Sequence, residues 1–110
     1  MGHSDQLDME DNVVAAASCT TNAIVPVLKA VNDGFGIVHG HMETVHAYTD
    51  DQNLHDNIHS KARRGRSAPL NMVLTESNAT SAVGKLLPEL EGKLTGNSIR
   101  VPVPNVSMAI

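Results

Sequence analysis

Residues 37–49 set the strongest constraint on how this chain folds, because their side chains sort onto two faces with a period of two. Val38, Gly40, Met42, Thr44, His46 and Tyr48 share one face, and Ile37, His39, His41, Glu43, Val45 and Ala47 share the other. The stretch reads as an extended strand, with His46 on its less polar side. Upstream, residues 13–17 form a short apolar run of the kind seen in strands buried on both faces. Between the two, Ile24, Val27, Leu28 and Val31 recur at helical spacing, which predicts a helix over 23–33 stopped by Asn32-Asp33-Gly34. Pro26 removes one backbone bond and crowds the carbonyl of Asn22, so a kinked or open first turn is expected.

Downstream, residues 48–69 are polar and aperiodic and read as a long ordered or binding loop. Residues 70–75 form a second strand candidate. Ala79, Ala82, Val83, Leu86, Leu87 and Leu90 give the clearest helical stripe, with Ser77 and Asn78 as candidate N-caps and Pro88 interrupting the second half. Residues 99–110 read as a last strand broken by Pro102 and Pro104, at an edge or irregular. Asp5, Asp8, Glu10 and Asp11 make residues 1–12 a solvated leading segment ahead of a domain at 13–110.

Composition narrows the class. The 110 residues suffice for one domain. Phe35 and Tyr48 are the only aromatics, so the core must be aliphatic and base-stacking platforms for nucleic acid are not expected. A net charge of −4 argues against a general polyanion binder. One cysteine excludes an internal disulfide framework and suits a reducing compartment. Residues 1–12 carry no signal-peptide pattern, and no apolar run approaches the ~20 residues that span a bilayer. A soluble, cytoplasmic chain without membrane or specific nucleic-acid partners is the expectation.

That cysteine, Cys19, lies in Ser18-Cys19-Thr20-Thr21-Asn22, where the apolar run gives way to the helical pattern. A thiol in a first helical turn faces unpaired N–H groups and the positive end of the macrodipole, which favour the nucleophilic thiolate. The alternative is a small buried hydrophobe. If 13–17, 23–33 and 37–46 form a β-α-β unit, Cys19 follows the carboxyl end of one strand and His46 lies toward that of its parallel neighbour, where α/β sheets place ligands. An imidazole within reach of the thiol could take its proton. Otherwise His46 is a hydrogen-bonded core histidine.

Other constellations carry less. His39 and His41, or His55 and His59, have metal-ligand spacing, but no second cysteine or suitably placed acid completes a site, and no metal is expected. Gly34-Phe35-Gly36 follows a helix and enters a strand, the reverse of a dinucleotide loop. Lys61, Arg63, Arg64 and Arg66 make a local basic spot suited to phosphate, or a solvated loop. Arg100, between Ile99 and Val101, needs a bound anion or a salt-bridge partner.

Five motifs occur in order: Ala17-Ser18-Cys19-Thr20-Thr21-Asn22, Thr44-Val45-His46-Ala47-Tyr48-Thr49, Arg63-Arg64-Gly65-Arg66, Leu87-Pro88-Glu89-Leu90-Glu91-Gly92-Lys93-Leu94-Thr95-Gly96 and Arg100-Val101-Pro102-Val103-Pro104-Asn105-Val106-Ser107. Together they closely resemble glyceraldehyde-3-phosphate dehydrogenase, over about residues 12–110. The resemblance implies an α+β fold: the first part of that family's catalytic domain, a mixed sheet with helices on one face, without its dinucleotide-binding domain. It implies that Cys19 attacks a sugar-phosphate aldehyde, His46 acts as base, NAD takes hydride, and inorganic phosphate releases the thioester as an acyl phosphate in glycolysis.

On the same resemblance Ser18 and Thr20 contact inorganic phosphate or substrate, Thr49 and Arg100 the substrate phosphate, and Arg64 the anion sites. The family's homotetramer is implied too, with the loop after Thr49 lining a neighbour's cofactor site. Ser77 and Asn78 stand where the family usually has Thr-Gly before a helix, so a side chain is added at a phosphate-binding approach. Ala23 replaces a second cysteine common in the family. The expectation is a fragment inactive by itself. Erythrose-4-phosphate dehydrogenase, or a non-catalytic module docking through exposed strand edges, are the alternatives.

Overall fold

The computed structural model describes residue 8, residues 10–75 and residues 77–110, so most of the leading segment read at 1–12 lies outside the described residues. Two compact units share the chain. One takes the residues up to 40 with 78–94, the other 41–77 with 95–110.

The first unit is built on α1 (Cys19–Phe35) and α2 (Ala79–Leu86), followed by a 3-10 turn at Pro88–Leu90. Helix α1 begins four residues before the periodicity predicted, because Ser18 caps it: its backbone is extended and its Oγ accepts the Thr21 N–H at 3.1 Å. Asn22 N–H bonds Ser18 O at 2.9 Å, so the first turn is closed rather than open. The helix runs through Pro26 without a break. It also passes the predicted stop at Gly34. Gly36, at φ 73°, takes the left-handed C-cap conformation and returns its N–H to Asn32 O, while Asn32 Oδ1 accepts the Ile37 N–H.

The apolar face is rotated from the predicted stripe. Thr21 and Val25 are buried and Leu28 packs beside them, whereas Val27 and Val31 are exposed and Phe35 is 90% exposed. The core joins Val25 to Val83, Leu87 and Leu90, with Ile37, Leu86 and Leu94 packed around it. Pro88 ends α2 as expected, and the 3-10 turn drops Leu90 back into the core. Asn78 takes the N-cap position of α2 without a side-chain capping bond.

The strand expected at 13–17 does not form. These residues have no regular structure, Val13 and Val14 are exposed, and Ala17 adopts a left-handed φ of 56°. Three of its five residues are alanine and it finds no strand partner among the described residues, so the expected β-α-β unit and its parallel pairing are absent.

The second unit holds a four-stranded sheet of β1 (Gly40–Ala47), β2 (Val73–Thr75), β3 (Leu94–Val101) and β4 (Ser107–Ala109), in the order β2-β3-β1-β4. β2 pairs antiparallel with β3, placing Thr75 opposite Ser98, and β4 pairs antiparallel with β1, placing Ser107 opposite His46. Between β1 and β3, His41 meets Thr95 and Thr44 meets Asn97, so both numbers climb together as parallel neighbours require. The sheet is therefore mixed and the fold is α+β.

The single strand expected at 99–110 is two strands on opposite sides of β1. Pro102 and Pro104 carry no N–H for a ladder, and Val106, at φ 73°, redirects the chain into β4. The even-numbered face of β1 is the buried one through Met42 and Thr44. Thr75 and Ser98 join it, so this core is largely hydroxyl-bearing. The 48–69 loop is ordered by its own backbone. Asn53 N–H reaches Arg64 O, Asn57 N–H reaches Gly65 O, and Ala68 N–H reaches Asn53 O. A Cβ at Gly65 would collide with Asn57 O, which is why glycine stands there. No helix among the described residues is long and apolar enough to cross a membrane.

Leu87→Ala should lower unfolding free energy by about 2–5 kcal/mol, and Val27→Ala on the same unit by no more than about 0.5 kcal/mol. Urea denaturation of the two variants side by side checks the rotated core face, and equal losses would refute it.

Candidate functional site

Cys19 is the first residue of α1, exposed and outside any disulfide, with its Sγ 4.0 Å from Thr20 Oγ1. Its neighbours fix the turn around it. Ser18 Oγ accepts the Thr21 N–H and lies 2.8 Å from Thr21 Oγ1, and Asn22 Nδ2 donates to Ala16 O and Ser18 O. The first N–H groups of an α-helix lack partners within it, so the start of α1, where Cys19 stands, can stabilise an anion or oxyanion. Ser18 Oγ caps the helix, and the half-buried Thr20 places its hydroxyl by the sulfur.

His46 belongs to the second unit, at the end of β1. Its ring is half-buried and Nδ1 lies 3.0 Å from Ser107 Oγ on the paired strand. The tautomer that donates Nδ1–H to Ser107 leaves the Nε2 lone pair available to take a proton. Burial, and secondarily the Arg100 guanidinium, hold its pKa below the ordinary 6.5. The imidazole is therefore neutral at physiological pH, the form a base requires. Sequence reasoning missed Ser107, because one strand was read where two run on either side of β1.

Beside His46 the same unit gathers Thr49, Arg64 and Arg100. Arg100 Nη1 donates to Ala47 O at 3.2 Å and Thr49 Oγ1 at 3.3 Å. Thr49 Oγ1 donates onward to Asp51 Oδ1, and Arg64 Nη1 donates to Asp51 Oδ2. Arg64 Nε reaches Thr75 Oγ1 at 3.1 Å. Of the basic spot seen in the sequence, Arg64 alone turns inward, while Lys61, Arg63 and Arg66 are exposed. Two guanidinium groups and a hydroxyl joined in one network make an arrangement able to hold an anion such as phosphate. Asp51 and Thr75 were not singled out by sequence reasoning; the spacing of Asp51 from Thr49 within one turn was the available signal. Tyr48 is half-buried between His46 and Thr49. Ser77 is half-buried before α2 and Asn78 is exposed. Among the described residues no group of three or more His, Cys, Asp or Glu is placed to hold a metal ion.

The family model described as glyceraldehyde 3-phosphate dehydrogenase, C-terminal domain, matches residues 18–109. A glyceraldehyde-3-phosphate dehydrogenase-like protein of Pseudomonas aeruginosa (strain UCBPP-PA14) is 67% identical over 110 residues, which are 100% of this chain and 24% of that protein. The glyceraldehyde-3-phosphate dehydrogenase of Mycobacterium leprae (strain TN) is 51% identical over 106 residues, 96% of this chain and 31% of that protein. The corresponding enzyme of Mycobacterium avium is 48% identical over the same share. The chain spans about a quarter to a third of the length of these relatives.

Because His46 binds its proton more weakly in the fold than in the unfolded chain, its protonation favours unfolding. Stability is full above 6.5 and falls as pH drops below it toward the lowered folded value. Urea midpoints taken from about pH 7.5 to about pH 5.5 should therefore fall more steeply for the parent than for His46→Asn. Parallel profiles would mean His46 is not the titrating group.

Proposed function

This chain belongs to the glyceraldehyde-3-phosphate dehydrogenase family, and from that membership we propose that it carries the thiol, the base and the phosphate-binding side chains of a phosphorylating aldehyde dehydrogenase. The substrate is glyceraldehyde 3-phosphate, the acceptor in the complete enzyme is NAD, and the product is an acyl phosphate. The observation that carries this reading is the Arg100 guanidinium, which engages Thr49 and helps keep the His46 imidazole neutral. One cation thereby serves both phosphate binding and proton transfer.

Cys19 sulfur adds to the aldehyde carbon, and the charge that develops on oxygen is met by the N–H groups of the first turn of α1. His46 takes the proton released as the thiol reacts. Thr49, Arg64 and Arg100 hold the substrate phosphate, fixing the aldehyde's position. Once the adduct has been oxidised to a thioester, inorganic phosphate attacks its carbonyl carbon, the carbon–sulfur bond breaks, and the acyl phosphate leaves with Cys19 restored as thiolate. By their positions in the family's motifs, Thr20, Ser77 and Asn78 are assigned to the attacking phosphate, Asn78 with the side chain that the usual glycine lacks.

The described residues do not fit NAD. Among them the glycine pair at 34 and 36 leaves a helix and enters a strand, and no strand leads into the N-terminus of α1. The chemistry assigned to this chain is therefore the addition that precedes oxidation and the phosphorolysis that follows it. Assembly as a homo-oligomer, a tetramer in the family, belongs to the same proposal.

Glyceraldehyde 3-phosphate should protect Cys19 from iodoacetamide, followed by mass spectrometry of the purified protein. Unphosphorylated glyceraldehyde should need at least about tenfold higher concentration, because it lacks the charge-assisted bonds to the arginines. Equal protection by the two aldehydes would sink the assignment of Thr49, Arg64 and Arg100. Erythrose 4-phosphate in the same assay separates the two sugar-phosphate chemistries.

A further inference from the structure

The anion site already contains an anion. Asp51 is the third residue of a turn closed at both ends by Gln52, whose N–H donates to Thr49 O at 3.0 Å and whose Oε1 accepts the Thr49 N–H at 3.2 Å. Gln52 is itself buried, so the turn is anchored and the position of Asp51 follows from it. From that position one carboxylate oxygen takes the Thr49 hydroxyl and the other takes Arg64 Nη1. These are two of the groups through which a phosphate would be held.

The two partners differ in exposure. The Arg64 side chain is 14% exposed and that of Asp51 is 46% exposed. The cation is therefore fixed inside, with its Nε on Thr75, while the carboxylate stands on the solvent side. An anion arriving from solvent meets Asp51 before it meets Arg64.

We propose that Asp51 is an internal stand-in for phosphate, which an incoming phosphate dianion must displace from Thr49 and Arg64, so that Asp51 sets the affinity of the site. The inference rests on the reading of Thr49, Arg64 and Arg100 as the phosphate site. Its physical content is a competition. The carboxylate keeps the inward guanidinium paired while the site is empty, and the strength of that pairing is subtracted from the affinity of every anion that replaces it. Ligand release is correspondingly easier, since Asp51 returns to the vacated donors.

Calorimetric titration of the protein with inorganic phosphate at low ionic strength tests this, with glycerol 3-phosphate as a second arm to separate free phosphate from a phosphate monoester. Asp51→Asn keeps the shape and removes the charge, and should tighten phosphate binding by about three- to tenfold. Asp51→Ser, which shortens the side chain, should do the same, and the agreement of the two separates loss of the carboxylate from damage to the turn. Unchanged or weaker binding in both variants overturns the inference. Arg100→Gln reports on the underlying reading: if it weakens phosphate binding while the Asp51 variants fail to strengthen it, the site stands and only the role of Asp51 falls. If Arg100→Gln leaves binding unchanged, the reading and the inference fall together.

Discussion

A guanidinium carried inside a sheet must be given acceptors, and the second unit is arranged around how Arg100 is given them. The β3 strand delivers Arg100 opposite Val73, and its Nη1 reaches the Ala47 carbonyl at the end of β1 and the Thr49 hydroxyl just beyond it. One donor group therefore ties the end of β1 to the turn that follows. That turn holds Asp51, Asp51 holds Arg64, and Arg64 reaches Thr75 on β2. The line of bonds thus links β3, the end of β1, the loop after it and β2 within the second unit. In such a chain each group orients the next, and polar networks of this kind hold together only when most members are satisfied.

The two units meet the problem of a core differently. Around α1 and α2 the interior is aliphatic, made from Val25, Val83, Leu87 and Leu90. Under the sheet it is built from Thr44, Thr75 and Ser98 with Met42, Val73 and Ala68. Hydroxyls on a strand face can bond the neighbouring backbone, as Thr44 does to Asn97 O at 3.2 Å. They also leave a surface able to accept Arg64 and Arg100, which an aliphatic layer would not. The polar layer and the charged site above it are one construction.

Patterns spanning several residues were legible in the sequence, while features made by single contacts across the chain were not. The period of two in β1 identified the face that carries Met42, Thr44 and His46, and Pro88 marked the end of α2. The α1 face was misjudged because Thr21, buried beside Val25, does not register as apolar, while Val27, Val31 and Phe35 do. The helix start was misplaced because the capping bond from Ser18 depends on geometry that spacing alone does not report. The strand at 13–17 failed for want of a partner, a property of the rest of the chain. Within the site, Arg100 could be named from residue type and position and Arg64 only through the family resemblance, but Asp51 and Ser107 could not. Their roles arise from a turn and a register that exist only once the backbone is folded.

The scarcity of aromatic residues has a consequence for observing this molecule. With no tryptophan and a single tyrosine, all tyrosyl absorption and emission come from Tyr48. That ring is half-buried and flanked along the chain by Ala47, whose carbonyl receives Arg100, and by Thr49, whose hydroxyl does the same. Nature has thus placed the chain's sole intrinsic chromophore of this kind at the junction of its charged network. Its spectrum reads one address rather than an average over the fold, and a shift in its emission is a statement about the surroundings of that one ring.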